Sequence, residues 1–292
     1  MKRESTFLFL LLAIPLSHPS EYSDVLLVSN ANSTESLAIA DYFARKHGVS
    51  HQLQVSLPLS DGIKFSELQE GLILPLKRYL DSSNSQINYI VLSKDIPLYT
   101  DETDVFATGY DMQAANASSV DSEVALIGSP FEQHIGQKGH VPNPYYGSSE
   151  PFSRKKFGIL LVTRLDGYDF ADVKSMIDRS DSIIPGELAS GQHVLLGYRG
   201  VYANQLSAAN TSLASAGLDV LFWQAPFANE SISGVLHAKS QPRLISYYDA
   251  FGCYNLGGCN SSYYGIPNFS WANGSLVSIK YSFSARTSKP PK

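Results

Sequence analysis

Short apolar runs alternate with amphipathic stretches along most of this 292-residue chain, and that alternation constrains the fold more than any other feature. Residues 24–29 (DVLLVS) read as a strand. Residues 35–47 follow with Leu37, Ala40, Phe43 and Ala44 on one helical face and Gly48 as the stop. Residues 52–57 alternate like a second strand, and 65–80 carry Leu68, Leu72 and Leu76 on one stripe, with Pro75 removing a bond to Gly71 and kinking the helix. Further strands are expected at 87–92, 157–163, 193–197, 219–223, 244–248 and 275–284, and further helices at 169–182 and 204–216. Segments 99–153 interrupt the rhythm as a long insert of polar loops around one helical patch at 121–127. The expected architecture is α/β, a mostly parallel sheet with helices on both faces in three α/β/α layers. No internal repeat or linker breaks the chain, so one domain is expected over 21–292.

The start of the chain has the layout of an export signal. Met1-Lys2-Arg3 precedes the apolar run 7–16 (FLFLLLAIPL) and Ser17-His18-Pro19-Ser20, so residues 1–20 are expected to be a signal peptide. Ten helical residues rise about 15 Å, half of a ~30 Å hydrocarbon core, and no second long apolar stretch appears. No cysteine follows the apolar run and the C-terminus lacks a hydrophobic tail, so the expected product is exported, without a transmembrane anchor, to the extracellular space or cell envelope.

Composition agrees with that address. Only 17% of residues are charged and the net charge is −5, without the basic stripe that nucleic-acid binding requires, so no nucleic-acid partner is expected. Asn-x-Ser/Thr sequons occur at Asn32, Asn116, Asn210, Asn229, Asn260, Asn268 and Asn273, seven where 13 Asn and 49 Ser or Thr lead one to expect roughly two by chance. These are candidate glycosylation sites. Cys253 and Cys259 flank Gly257-Gly258 and suit a small disulfide loop in an oxidising compartment, whereas two thiolates without a His pair do not complete a zinc set.

Catalytic motifs are mostly absent. The sequence has no G-x-x-x-x-G-K-[ST], no G-x-G-x-x-G after the first strand, no H-E-x-x-H and no G-x-S-x-G. His134 and His140 stand six apart in a loop, a spacing that reads as surface rather than as a ligand pair. One constellation is richer. Asp121 and Glu123 sit among Ser118, Ser119 and Ser122; Asn143 opens Asn-Pro-Tyr-Tyr; Arg164 and Asp166 end a strand; Asp95 follows another. Carboxyl ends of parallel strands line binding crevices, so Asp95, Arg164 and Asp166 are expected to converge. Arg164 has two readings, a ligand-binding or catalytic group, or a fork that bonds Asp121 or Glu123 and pins the insert to the sheet.

The runs DVLLVSNANSTESLAIADYFARKHGV, YIVLSKDIPL, SSVDSEVAL, NPYYG, LLVTRLDG with its DVKSMIDR helix, and the terminal FSARTS together resemble a family of uncharacterised exported proteins found in bacteria beside the exosortase system, which sorts proteins bearing a C-terminal Pro-Glu-Pro signal. The order of elements is also similar, more distantly, to the caspase-like domain of gingipain-type cysteine peptidases. That likeness implies a His-Gly after one late strand and a Cys after the next. Here the first strand runs into Asp249-Ala250-Phe251-Gly252, and the last ends in Ser282-Phe283-Ser284-Ala285-Arg286, with neither partner of a thiolate dyad in place.

The leading expectation is therefore a non-catalytic, caspase-like exported protein that binds a peptide, glycan or cell-surface partner. A hydrolase using Asp121, Glu123, Arg164 and Asp166 is the alternative, in which the Asp121 and Glu123 carboxylates would suit Ca²⁺ or Mg²⁺. A structural role in a glycosylated envelope is the third. Asp249 and Arg286 complete the candidate cluster.

Overall fold

The computed structural model describes residues 22–83, 86–100, 118–137, 141–182, 192–198, 203–225, 244–249 and 271–279. The expected leader, Asn116, Asn229, Asn260, Asn268, both cysteines, His140 and Arg286 lie outside them. Where the sequence leads one to expect a single domain, the chain groups into two compact units, divided in sequence between Asp166 and Gly167.

The first unit opens with β1 (Val25–Asn30), whose six residues are all buried, as a parallel strand covered on both faces must be. Helix α1 (Thr34–His47) starts because Ser33 adopts an extended backbone and its Oγ accepts the Ser36 N–H at 3.0 Å. It stops at Gly48, left-handed at φ 67°, whose N–H returns to the Ala44 carbonyl. Strands β2 (His51–Val55) and β3 (Gly62–Ile63) follow.

The expected single helix at 65–80 is three pieces. Helix α2 (Phe65–Leu68) passes into a π-helical turn, Gln69–Ile73, and then into α3 (Leu74–Ser82). The Leu74 N–H reaches back five residues to Gln69, so Pro75 enters in the first turn of a new segment, where its missing N–H costs little.

Strands β4 (Tyr89–Ser93) and β5 (Tyr99–Thr100), helices α4 (Val120–Ala125) and α5 (Arg154–Phe157), and strand β6 (Leu161–Leu165) complete the unit. The strand expected at 157–163 starts later because Gly158 takes φ 75° and closes α5 with an N–H to the Arg154 carbonyl at 2.7 Å. The main sheet runs β2-β1-β4-β6, all parallel, and β3 pairs with β5.

Alternation assigns the two faces. Leu26 and Val28 of β1 and Ile90 and Leu92 of β4 join Leu68, Leu72, Leu76, Val120 and Val124 in one core. The intervening Leu27 and Val91 are buried on the side covered by α1, where Ser93 Oγ donates to the Ser36 carbonyl at 2.8 Å. Each such buried leucine contributes about 1.5–3 kcal/mol of burial free energy.

The second unit contains α6 (Phe170–Ser180), capped by Asp169, then β7 (Gln192–Tyr198), α7 (Ala203–Ser215), β8 (Asp219–Ala225), β9 (Leu244–Asp249) and β10 (Trp271–Ile279). Its parallel sheet runs β8-β7-β9-β10. Counted within each unit, both sheets have the order second, first, third, fourth. Each therefore reverses its winding between its first and third strands, the place where open parallel sheets leave a crevice. Both sheets are α/β in the expected sense, and no helix among the described residues is long and apolar enough to cross a membrane.

Candidate functional site

At the winding reversal of the first sheet the polar groups are bonded to one another. Asn30, fully buried at the end of β1, donates through Nδ2 to the carbonyls of Leu57 (3.2 Å) and Asp95 (2.8 Å) and accepts at Oδ1 from the N–H groups of Asn32 and Leu57, both at 3.1 Å. One side chain so laces the ends of β1, β2 and β4. Asp95 has a left-handed backbone, φ 61°, and its carboxylate accepts from Ser33 Oγ at 2.6 Å. That puts a negative charge beside the first turn of α1, where the helix dipole favours it. Lys94, 4% exposed, lies 3.4 Å from Asp166. Asp95 and Asp166 are thus at adjoining strand ends, each with a cation or hydroxyl of the fold.

Arg164 stands on β6 with its side chain 13% exposed. Its Nε donates to Asp121 Oδ1 at 2.8 Å and Nη2 reaches the same oxygen at 2.7 Å, while Nη1 and Nη2 donate to the carbonyls of Ile96 (2.6 Å) and Pro97 (2.7 Å). The guanidinium ties α4 and the turn after β4 to β6. This is the pinning arrangement, and it engages four of the five N–H donors of the guanidinium.

Beside that pin, a pocket of about 470 Å³ runs along α4 and the chain entering β6. Asp121, Glu123 and Asn143 line it together with Ser118 and Ser122, which the same motif carries, and with His134 and Gln137, which motif reasoning did not select. Its apolar wall comes from Ile159, Leu161, Val162 and two prolines. Glu123 is only 4% exposed, and its Oε2 accepts the Gly136 N–H at 2.8 Å. Gly136 is left-handed, φ 72°, and lies against the outer end of the Phe65 ring, where a Cβ would come within 2.3 Å. Asn143 accepts the Tyr145 N–H at 2.9 Å, a local turn that leaves its Nδ2 without a partner among the described residues.

The pocket walls are braced from outside. Tyr145 packs on Phe152 (5.1 Å between centroids) and Phe157 (4.8 Å), and Phe152 packs on Tyr89 of β4 (5.7 Å). Burial, with Asp24 and Tyr145 nearby, raises the Tyr89 phenol above its ordinary value. Lys77 of α3 pairs with Glu132, which also accepts the Gly128 N–H at 3.1 Å and so holds the turn that carries His134. The hydrogen bond to Glu132 raises the Lys77 ammonium. Tyr146, two residues beyond the lining Pro144, is 90% exposed.

Among the described residues, no group of three His, Cys, Asp or Glu side chains is arranged to hold a metal ion. Asp249 closes β9 in the second unit, where its backbone is in register with Ile279, and its side chain lies outside the described residues, as Arg286 does entirely. His134 carries no motif signal; only its neighbourhood in space shows its place. No protein-family model matches the chain, and no curated protein matches it.

Proposed function

We propose that this chain is an exported α/β protein of caspase-like architecture that binds a glycan of the cell surface or envelope in the pocket along α4 and β6, without turning it over. The observation that carries this reading is the lining itself. Asp121, Glu123, Gln137, Asn143 and His134 offer planar polar groups to a polyhydroxylated ligand, with Ile159, Leu161 and Val162 as an apolar wall for ring faces. Tyr146 adds an exposed aromatic ring on the adjoining loop. The leader-like start, the seven sequons and the Cys253–Cys259 spacing support export and glycosylation, and the resemblance to exported proteins of exosortase-bearing bacteria supports the envelope address. The carboxylates and cations at the strand ends favour binding over hydrolysis, because Arg164, Asp95 and Ser33 are engaged in holding the fold.

Of the candidate glycosylation sites, Asn32 is exposed and donates to the Leu57 carbonyl at 3.0 Å, and Asn210 is half-exposed on α7. Screening the exported protein against immobilised oligosaccharides tests the reading. Saturable binding that Asn143→Ala or Gln137→Ala weakens at least tenfold, with the oligosaccharide recovered intact, is the expected result. Cleavage of the oligosaccharide, or binding indifferent to both substitutions, refutes it.

A further inference from the structure

Glu123 and Asp121 are two residues apart on α4 and line the same pocket, but their charges are balanced differently. Asp121 has the Arg164 guanidinium at 2.7 Å. Glu123 is the more deeply buried, and one backbone N–H, from Gly136, bonds its Oε2. Its Oε1 has no hydrogen-bond partner among the described residues, and no basic side chain there lies within 4 Å of it. An ionised carboxylate accepts at about four sites, and the protein fills one of those on Glu123.

We propose that the pocket seats a protonated primary amine on Glu123 Oε1. Resting on the glycan reading above, this makes the ligand an amino sugar with a free, unacetylated nitrogen. An ammonium supplies the charge that Glu123 lacks and makes a charge-assisted bond in a partly desolvated place. Ser122, Gln137 and the unbonded Nδ2 of Asn143 then face hydroxyl groups, and the wall of Ile159, Leu161 and Val162 faces the ring carbons. The volume of about 470 Å³ lies within the ordinary range of small-ligand sites. An acetylated nitrogen is neutral, bulkier and offers one amide N–H, so the site discriminates by charge.

Calorimetric titration of the whole exported protein with a glucosamine tetramer, the N-acetylglucosamine tetramer, a neutral glucose tetramer and a lysine tripeptide tests this. The free-amine tetramer is expected to bind at least about tenfold more tightly than the acetylated one. Glu123→Gln is expected to bring the two within about twofold while the far-ultraviolet circular dichroism stays unchanged. Equal affinity of the free-amine and acetylated tetramers for the unsubstituted protein overturns the amine assignment and leaves the glycan reading standing, a comparison that needs no variant to fold. Binding of the lysine tripeptide with no binding of any sugar overturns the glycan reading and the amino-sugar assignment together.

Discussion

Arg164 and Asp121, 43 positions apart in sequence, share a two-pronged contact of 2.7 and 2.8 Å that fastens α4 to the edge strand of the first sheet. The same guanidinium holds two carbonyls of the turn after β4, so three chain segments depend on one side chain.

Removing it should therefore cost more than removing a surface ion pair. Arg164→Ala leaves Asp121 and two carbonyls without their donor, and a loss of about 3–5 kcal/mol in unfolding free energy is expected. Asp121→Ala should cost less, since Arg164 keeps both carbonyls. A double-mutant cycle by urea unfolding should give a coupling of roughly 1–3 kcal/mol between the two; additivity would mean that the contact does not hold the fold.

Asn30→Ala strips the carbonyls of Leu57 and Asp95 and the N–H of Leu57 of a buried partner. A destabilisation of about 2–4 kcal/mol is expected, against about 1 kcal/mol or less for Asn32→Ala at its exposed neighbour. Thermal unfolding of the two variants side by side distinguishes the hub from its neighbour.

Two glycine substitutions separate crowding from backbone strain. A Cβ on Gly71 would sit 2.7 Å from Leu57 Cδ2, in the core, so Gly71→Ala should cost about 1–3 kcal/mol through overpacking. Gly48→Ala meets nothing within 4 Å, and its cost of about 1–2 kcal/mol comes from the left-handed φ alone. Gly48→Asn should recover much of the second loss, and Gly71→Asn none of the first, as unfolding midpoints would read.

His193, buried on β7, gives the second unit a pH dependence. Burial pushes its imidazole below the usual value, and the Asp219 carboxylate opposes that only in part. The unfolded chain then binds a proton more readily than the folded one. The stability contributed by neutral His193 is complete above the ordinary histidine pKa of about 6.5 and is lost as pH falls from there toward the lower folded value. His193→Gln should flatten the stability profile in the window that opens below about pH 6.5. An unchanged slope in denaturant titrations across that window would refute the assignment.

Periodicity alone made the elements of both sheets legible. The short apolar run at β1 read as a buried strand by its length, and Gly48 marks the end of α1 in the sequence as it does in space. Pro75 announced an interruption, yet its form, a π-helical turn ahead of a new helical segment, was not legible in the sequence. The strand entering at Phe157 was misplaced because an apolar run looks alike in a strand and in a short helix, and Gly158 decides between them through its left-handed turn.

What the sequence determined by itself is the alternation, the parallel α/β class and the residue types in its charged motifs. Tertiary structure decided what those charges do. Asp121 and Glu123 are equivalent in sequence, two carboxylates in one short helix. Packing gives one of them to Arg164 and turns the other toward a pocket with a single backbone donor, because hydrogen-bond partners 13 to 43 residues away are brought within 3 Å only by the folded sheet.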